Sequence, residues 1–128
     1  TVLRRNVELL VASEGTLRMG QKVFINSNCI ISAHNNVEIG DRVQFGPNCL
    51  IYDNDHDYKQ PIEKRATAFK SSPIIIGKGT WIGGGTIILR GSVIGENCVI
   101  GAGSVIKGEI PAESVIVQKR QQGNYPKA

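Results

Sequence analysis

Large apolar residues return at every sixth position over most of the chain, and small or polar residues fill the positions between them. From Met19 the chain divides into MGQKVF, INSNCI and ISAHNN, and after Val37 and Glu38 it continues as IGDRVQ, FGPNCL and IYDNDH. The rhythm resumes at Ile76 with IGKGTW, IGGGTI, ILRGSV, IGENCV, IGAGSV and IKGEIP. A six-residue repeat predicts a β-helix, in which each unit forms one short strand and one bend.

The inner positions of the repeat are restricted in size. Position five is small or β-branched in unit after unit: Val23, Cys29, Val43, Cys49, Thr80, Thr86, Ser92, Cys98 and Ser104. We expect position one to point inward and position five to lie where two faces meet. Gly at position two or Asn at position four would permit backbone angles that most residues avoid. Because the three cysteines share position five with Val, Thr and Ser, we interpret them as buried structural residues and not as nucleophiles.

A longer period lies above the six-residue one. Residues 11–31 align with residues 31–51 at an offset of 20, so that Val11 matches Ile31, whereas the turn that begins at Ile76 has 18 residues. Three strands per turn would close a triangular prism, with each turn hydrogen-bonded to its two neighbours. The sequence therefore predicts an all-β, parallel β-helix.

One long insertion interrupts the repeat. Between Ile51 and Ile74 the chain spends 22 residues where the same corner of the preceding turn spends five. The insertion is polar and cannot continue the prism, which predicts an extruded loop at about 52–72. Long loops in compact repeats are usually functional or disordered. We predict one β-helix domain over residues 1–118, with this loop, and a C-terminal tail over 119–128.

The repeat register, the loop and the run PIIIGKGTWIGGGTII from Pro73 to Ile88 resemble the hexapeptide-repeat acyltransferases. The similarity is to the maltose and galactoside acetyltransferase type, and to O-acetyltransferases of capsule and lipopolysaccharide sugars. It implies a left-handed β-helix, a hand that the repeat alone does not fix. It also implies acetyl-CoA as co-substrate, a sugar hydroxyl as acceptor, and a homotrimer with its sites between subunits.

His56 lies early in the loop, within the segment DNDHD. Three neighbouring aspartates could by themselves favour a protonated surface imidazole. The resemblance, however, places the family's general base at this point, and we predict that His56 removes the proton of the acceptor hydroxyl. The thioester is already activated, so no covalent enzyme intermediate is needed. The resemblance also implies that the N–H of Gly84 holds the thioester oxygen as it gains charge.

The resemblance implies further contacts on both sides of the reaction. On the acceptor side these are Asn26 and Trp81, and we add His34 because successive corners stack and it lies at the corner one turn before the His56 loop. On the acetyl-CoA side they are Trp81, Gly84, Ala102, Lys107, Lys119 and Arg120. The chain departs from many relatives after the last strand, where VQKRQ replaces Gly-x-Pro-Ala-Lys. The role of Lys119 and Arg120, proposed to meet the phosphates of CoA, depends on that atypical segment.

Composition limits the classes of partner. The formal net charge is +4, but the basic residues are not interleaved with aromatic residues, which make up 5% of the chain. We therefore expect no nucleic-acid partner. No apolar run approaches the roughly 20 residues that span a bilayer, and we see no signal peptide. We expect a cytoplasmic protein without a membrane span.

Three alternatives remain open from the sequence. The acceptor could be an amine, which would make the protein an N-acetyltransferase on an amino-sugar or another amine. A non-catalytic β-helix assembly subunit would share the repeats, although it would not need His56, Trp81 and the triple glycine together. A γ-type carbonic anhydrase would need three histidine ligands for zinc, and the chain has two, His34 and His56. We predict no metal site.

Overall fold

The computed structural model describes residues 1–127, and short strands account for nearly all of its secondary structure. One short helix, α1, spans Ile62–Arg65. The strands are β1 Val2–Leu3, β2 Glu8–Val11, β3 Thr16–Met19, β4 Phe24–Ile25, β5 Ile30–Ala33, β6 Asn36–Ile39, β7 Gln44–Phe45, β8 Leu50–Tyr52, β9 Asn54–His56, β10 Phe69–Ser71, β11 Ile74–Ile76, β12 Trp81–Ile82, β13 Ile87–Ile88, β14 Val93–Ile94, β15 Val99–Ile100, β16 Val105–Ile106, β17 Glu109–Ile110 and β18 Val115–Ile116.

Strands from successive turns stack into three parallel sheets, which are the faces of the prism. Face A has the order β1-β4-β7-β12-β15-β18, face B the order β2-β5-β8-β13-β16, and face C the order β3-β6-β11-β14-β17. We name the bends between them the AB, BC and CA corners. The architecture confirms the predicted all-β, left-handed parallel β-helix, with about six turns.

The core confirms the inner positions of the repeat. Position-one residues form a ladder with at most 3% of their surface exposed: Ile25, Ile31, Ile39, Phe45, Ile51, Ile76, Ile82, Ile88, Ile94, Ile100 and Ile106. The nine position-five residues named above are equally buried. Position six faces outward, as in Trp81, Val93 and Val99. The core is therefore built by stacking like on like between turns.

Gly at position two and Asn at position four have different roles in the structure, although the sequence analysis assigned the same role to both. Positive φ angles fall at position four, where Asn28 and Asn48 are joined by Lys22 and Arg42 with φ of 58° and 60°. The position-two glycines are needed for space. A Cβ on Gly46 would lie 2.5 Å from the nitrogen of Gly84 in the next turn. At position two the backbones of adjacent turns thus approach each other closely. The prediction that glycine is needed there for its backbone angles was wrong.

The register differs from prediction at both ends of the prism. Val11 pairs with Ala33, and Leu9 opposes Ile31, so the predicted match of Val11 with Ile31 was wrong. The first BC corner, between β2 and β3, has two more residues than the second, between β5 and β6. These two residues shift the register of β2 against β5. At the other end, the unit IKGEIP is shortened, because Ile110 already pairs with Ile94.

The predicted loop at 52–72 is an ordered arm that leaves the BC corner. Its strands β9 and β10 are antiparallel, with His56 opposite Phe69 and Asn54 opposite Ser71. Pro61 precedes α1 at the tip of the arm. The N–H of Ser72 donates to the carbonyl of Asp53 at 3.0 Å and closes the base. The arm is therefore a hairpin with a helical turn, and not a disordered insertion.

The tail begins where β18 ends. The side chain of Gln118 accepts from the N–H of Val105 at 2.8 Å and donates to the carbonyl of the same residue at 2.7 Å. Residues 119–127 form no helix or strand, and Ala128, the last residue of the predicted tail, lies outside the described residues. No helix within the described part of the chain is long and apolar enough to cross a membrane.

The cysteines are buried at the AB and CA corners. Cys29 and Cys49 are fully buried, and both thiols lie within 3.3 Å of the carbonyl oxygen of Gly46. A hydrogen bond between the two thiols lowers the pKa of Cys29 to about 7 and, together with burial, raises that of Cys49. Cys98 is also fully buried. Because no sulfur is exposed to a substrate, the structure confirms the interpretation of these residues as structural.

Replacing Ile94 by Ala should lower the free energy of unfolding by about 2–5 kcal/mol, because it removes buried methyl groups from a ladder that cannot collapse. Val93, the outward-facing residue of the same strand, is 38% exposed. Its replacement by Ala should cost less than about 1 kcal/mol. Denaturant unfolding of both variants measures the difference, and equal losses would contradict the assigned inward face.

The native protein should not react with a thiol reagent such as DTNB, since all three cysteines are fully buried. In guanidinium chloride the same sample should release a signal for three thiols per chain. Rapid labelling of any cysteine in the native state would show that its corner opens. The titration in denaturant controls for oxidation of the sample.

Candidate active site

His56 ends strand β9 and lies on the exposed side of the arm. Its Nδ1 lies 2.8 Å from the carbonyl oxygen of Arg65, and its ring centroid is 4.5 Å from that of Phe69. A carbonyl oxygen only accepts hydrogen bonds, which assigns the proton to Nδ1 in the neutral ring. The lone pair is then on Nε2. The arm therefore presents an oriented imidazole that can accept a proton.

The three aspartates around His56 have other partners. Asp55 pairs with the Nε of Arg90 at 2.8 Å. The amide of Gln60 and the N–H of Lys59 donate to Asp57 and hold the pKa of its carboxyl below the usual value. Within residues 1–127, no aspartate carboxylate hydrogen-bonds the His56 ring. The carboxylates of Asp55 and Asp57 are therefore engaged with other side chains and backbone groups, and the His56 ring contacts Arg65 and Phe69.

His34 lies at the BC corner one turn before the arm, as its position in the sequence predicted. Its ring centroid is 4.4 Å from that of Phe69, whose ring also contacts His56. Its backbone N–H donates to the fully buried carboxylate of Asp53 at 2.8 Å. The structure therefore brings the two histidines into contact with one aromatic ring.

Gly84 lies at the AB corner, directly after β12. Its two neighbours in the triple glycine are explained by the repeat, since Gly83 closely approaches Ala102 and Gly85 has a φ of 73°. Gly84 has no positive φ, and a Cβ there would lie 3.1 Å from the carbonyl oxygen of Pro47, a looser approach than that of Gly83. Among the described residues its N–H has no hydrogen-bond acceptor, a property that it shares with other residues at position three of the repeat, such as Lys78, Glu96 and Ala102. What distinguishes Gly84 from these residues is that it has no side chain.

Two further predicted residues lie near this corner. Trp81 is 44% exposed on the outside of face A, with Gln44 and Val99 on either side in register. Asn26 is at the AB corner two turns before Gly84, and its Oδ1 accepts from the N–H of Ser27 at 2.8 Å. The Asn26 side chain therefore holds its own corner, and its Nδ2 remains available to a ligand.

The residues predicted for acetyl-CoA are divided between two corners. Ala102 follows Gly84 by one turn at the AB corner. The guanidinium of Arg120 lies against Gly103 at the same corner, 3.3 Å from where a Cβ would be. Lys107 follows β16 and therefore lies at the BC corner, below the arm. Lys119 is exposed in the tail.

The predicted site residues of a single chain thus fall into two groups, at opposite edges of face B. The AB corner carries Asn26, Gly84, Ala102 and Arg120, with Trp81 beside it on face A. The BC corner carries His34, His56 and Lys107. A hollow of about 510 Å³ lies on face C and the CA corner, away from both groups. Within residues 1–127, no group of three or more His, Cys, Asp or Glu is placed to hold a metal ion.

Sequence reasoning missed Asp53, Phe69 and Arg90 as parts of this site. A signal for Asp53 was present: Ile51 points inward and Tyr52 outward, so residue 53 falls on the inward side, where a carboxylate needs partners. Phe69 and Arg90 lie far from His56 in the sequence. Only the pairing of the arm and the stacking of turns bring them close.

The sequence is similar to proteins named as transferases. Residues 73–108 match the family described as bacterial transferase hexapeptide (six repeats). A relative from Mycobacterium tuberculosis, named a probable acetyltransferase, is 40% identical over 109 residues, which are 83% of this chain and 36% of the relative. This chain therefore spans about a third of the length of that relative.

Solved structures share the fold. A maltose O-acetyltransferase from Clostridium difficile superposes with a TM-score of 0.76 at 37% identity, covering 88% of this chain and 59% of that one. A hexapeptide-repeat acetyltransferase from Vibrio cholerae, solved with acetyl coenzyme A, gives a TM-score of 0.76 at 29% identity, over 88% of this chain and 60% of that one.

The family match covers residues 73–108, and the two solved structures each cover 88% of this chain. The repeat register is the same physical feature that the family match detects, and the strand order shows that it builds the whole prism. Residues 73–108 match the hexapeptide-repeat family of bacterial transferases, and the chain shares its fold with hexapeptide-repeat acetyltransferases.

Proposed function

We propose that this protein transfers an acetyl group from acetyl-CoA to a hydroxyl of a sugar or polysaccharide precursor. The observation that carries the proposal is the geometry of His56, whose Nδ1–H is held by the Arg65 carbonyl at 2.8 Å. That contact leaves Nε2 as a base on an exposed arm. Acetyltransferases with the same fold, one of them acting on maltose and one holding acetyl-CoA, support the choice of reaction.

The reaction needs one base and one oxyanion donor. Nε2 of His56 takes the proton of the acceptor hydroxyl as its oxygen attacks the thioester carbonyl. The tetrahedral oxyanion accepts a hydrogen bond from the N–H of Gly84, which has no acceptor within residues 1–127. The carbon–sulfur bond then breaks, and the imidazolium returns its proton to the leaving thiolate. The products are an acetyl ester and CoA, with no covalent enzyme intermediate.

The two substrates approach from different directions along the AB corner. Trp81, exposed on face A, and Ala102, one turn beyond Gly84, line the path of the pantetheine arm. Arg120, beside Gly103 at the end of this path, and the exposed Lys107 and Lys119 suit the phosphates of CoA. Because acetyl-CoA is a cytoplasmic metabolite, we place the reaction in the cytoplasm.

The acceptor binds on the other side of Gly84. There the free Nδ2 of Asn26 can donate to a sugar hydroxyl, and the imidazole of His34 can donate or accept. Asn26 lies on a turn before Gly84 at the AB corner and extends the groove away from CoA, whereas His34 would reach it from the BC corner of the neighbouring chain. Neutral polar groups of this kind fit hydroxyls better than an ionised substituent.

We infer that the active unit is a homotrimer. His56 and Gly84 lie at opposite edges of face B, and no rearrangement within a β-helix joins its corners. Cyclic packing would place the BC corner of one chain beside the AB corner of the next. Each interface would then contain one base, from the arm, and one oxyanion donor, from the neighbouring chain.

His56→Ala should lower kcat for acetyl transfer by about 10²–10⁴-fold, because it removes the general base. Thiol release from acetyl-CoA measures turnover against a panel of neutral sugars, oligosaccharides and amino-sugars. Acetyl-CoA affinity should not change, since His56 faces the acceptor. His34→Ala is the matched control, and it should act mainly on the KM of the acceptor. A His56→Ala enzyme that keeps more than about a tenth of kcat would contradict the proposal.

Mixing two inactive variants tests the site between subunits. His56→Ala chains and Trp81→Ala chains, unfolded together and refolded as mixed trimers, should regain activity, because some interfaces combine an intact arm with an intact face A. Random assembly restores roughly a quarter of the sites. The same variants refolded separately are the control. Recovery no greater than the sum of the separate samples would place the site within one chain.

A further inference from the structure

Asp53 is a buried carboxylate that the proposed reaction does not use. It is fully buried, and within the described residues it has no ion-pair partner. Its Oδ1 accepts from the N–H of His34 at 2.8 Å and from the Nδ2 of Asn54 at 3.1 Å. Its Oδ2 accepts from the N–H groups of Asn35 and Asn36, each at 2.8 Å. Three consecutive backbone donors and one side chain therefore converge on a single anion.

Such an arrangement exceeds what the fold requires at a corner. A buried carboxylate is costly unless it is fully hydrogen-bonded, and an apolar residue would serve the inward position as well as Ile or Val does elsewhere. A comparable contact at the CA corner is single: Asp41 accepts one N–H, from Gln21, at 2.8 Å. The triple contact occurs where the arm leaves the prism. Consecutive N–H groups around an anion fix the backbone that carries them.

Asp53 is also the base of the arm. Its own N–H donates to the carbonyl of Ser32 at 3.2 Å, and its carbonyl accepts from the N–H of Ser72 at 3.0 Å. The corner that its carboxylate fixes carries His34, and the arm that starts from its backbone carries His56. The ring of Phe69 contacts both imidazoles, at centroid distances of 4.4 and 4.5 Å.

We propose that Asp53 is a positioning residue for the acceptor side of the site. Its carboxylate fixes the 34–36 corner so that His34 rests on Phe69 at a set distance from His56. The catalytic consequence rests on the proposed acetyl transfer, whereas the positioning itself does not. Asp53→Asn places an NH₂ group against backbone donors, so at least one N–H loses its acceptor and the corner is released. The positions of Gly84, at the AB corner, and Trp81, on face A, should not change.

Imidazole NMR tests the positioning without any substrate. The chain has two histidines, so its spectrum holds two Cε1–H signals, assigned with His34→Ala and His56→Ala. Asp53→Asn should move the His34 signal toward its free-peptide position and leave that of His56 in place. Phe69→Leu should move both signals, because it removes the ring current. Asp41→Asn, the matched corner carboxylate, should move neither. An unchanged His34 signal in Asp53→Asn would overturn the proposal.

Kinetics then test the catalytic consequence. Asp53→Asn should raise the KM of the acceptor by about 5- to 100-fold, the effect of one unpaired buried donor, and leave the KM of acetyl-CoA within twofold of wild type. A role in overall stability alone would change both constants or neither, and would also overturn the proposal. If wild type acetylates no acceptor, the proposed function fails, and the NMR result alone decides on Asp53.

A second variant at the same position keeps the proposal testable if Asp53→Asn fails to fold. Asp53→Thr keeps one oxygen acceptor near the N–H of His34, and it should give an intermediate shift of the His34 signal and an intermediate acceptor KM. If neither Asp53→Asn nor Asp53→Thr folds while Asp41→Asn does, the carboxylate is required for the fold as a whole. That outcome would overturn a role limited to the acceptor side.

Discussion

Adjacent turns of this protein are hydrogen-bonded strand to strand, which spaces them about 4.8 Å apart and makes like positions stack. The spacing is tight enough that a Cβ on Gly46 would lie 2.5 Å from the backbone of the next turn. It also excludes any side chain but a small one from position five. Closely packed side chains of the repeat therefore fill the interior. The reacting groups have to come from residues outside these stacked positions.

Those residues are at the corners and on the outside of the faces. Flat parallel faces cannot fold inward to make a pocket, and so one chain offers ledges and edges but no enclosed cleft. The arm solves part of this problem, because it projects His56 away from the prism. The proposed oxyanion donor, Gly84, remains on the backbone of another corner. The proposed groove between neighbouring copies would use both without bending the stack.

The repeat predicted the fold because its physical cause is local: each unit of six carries its own inward residue and its own bend. The predicted register was wrong where the number of residues per turn changes, at the first BC corner and at the shortened unit before Ile110. The site was predicted less completely. The resemblance supplied His56 and Gly84, whose roles stay proposals, but the contact of Phe69 with both histidines depends on pairing across the arm. Asp53 was overlooked because it was counted as a neighbour of His56 in sequence, whereas its side chain points to the preceding turn.

The side chain of Gln118 has a consequence beyond holding the tail. Strand β16 is the last strand of face B, and its outer edge would otherwise present unpaired backbone groups, as every open sheet does. By hydrogen-bonding both the N–H and the carbonyl of Val105, the amide of Gln118 imitates one residue of a further strand and then stops. An incoming chain finds that edge already occupied. End-to-end growth into a fibre is thereby discouraged at this face.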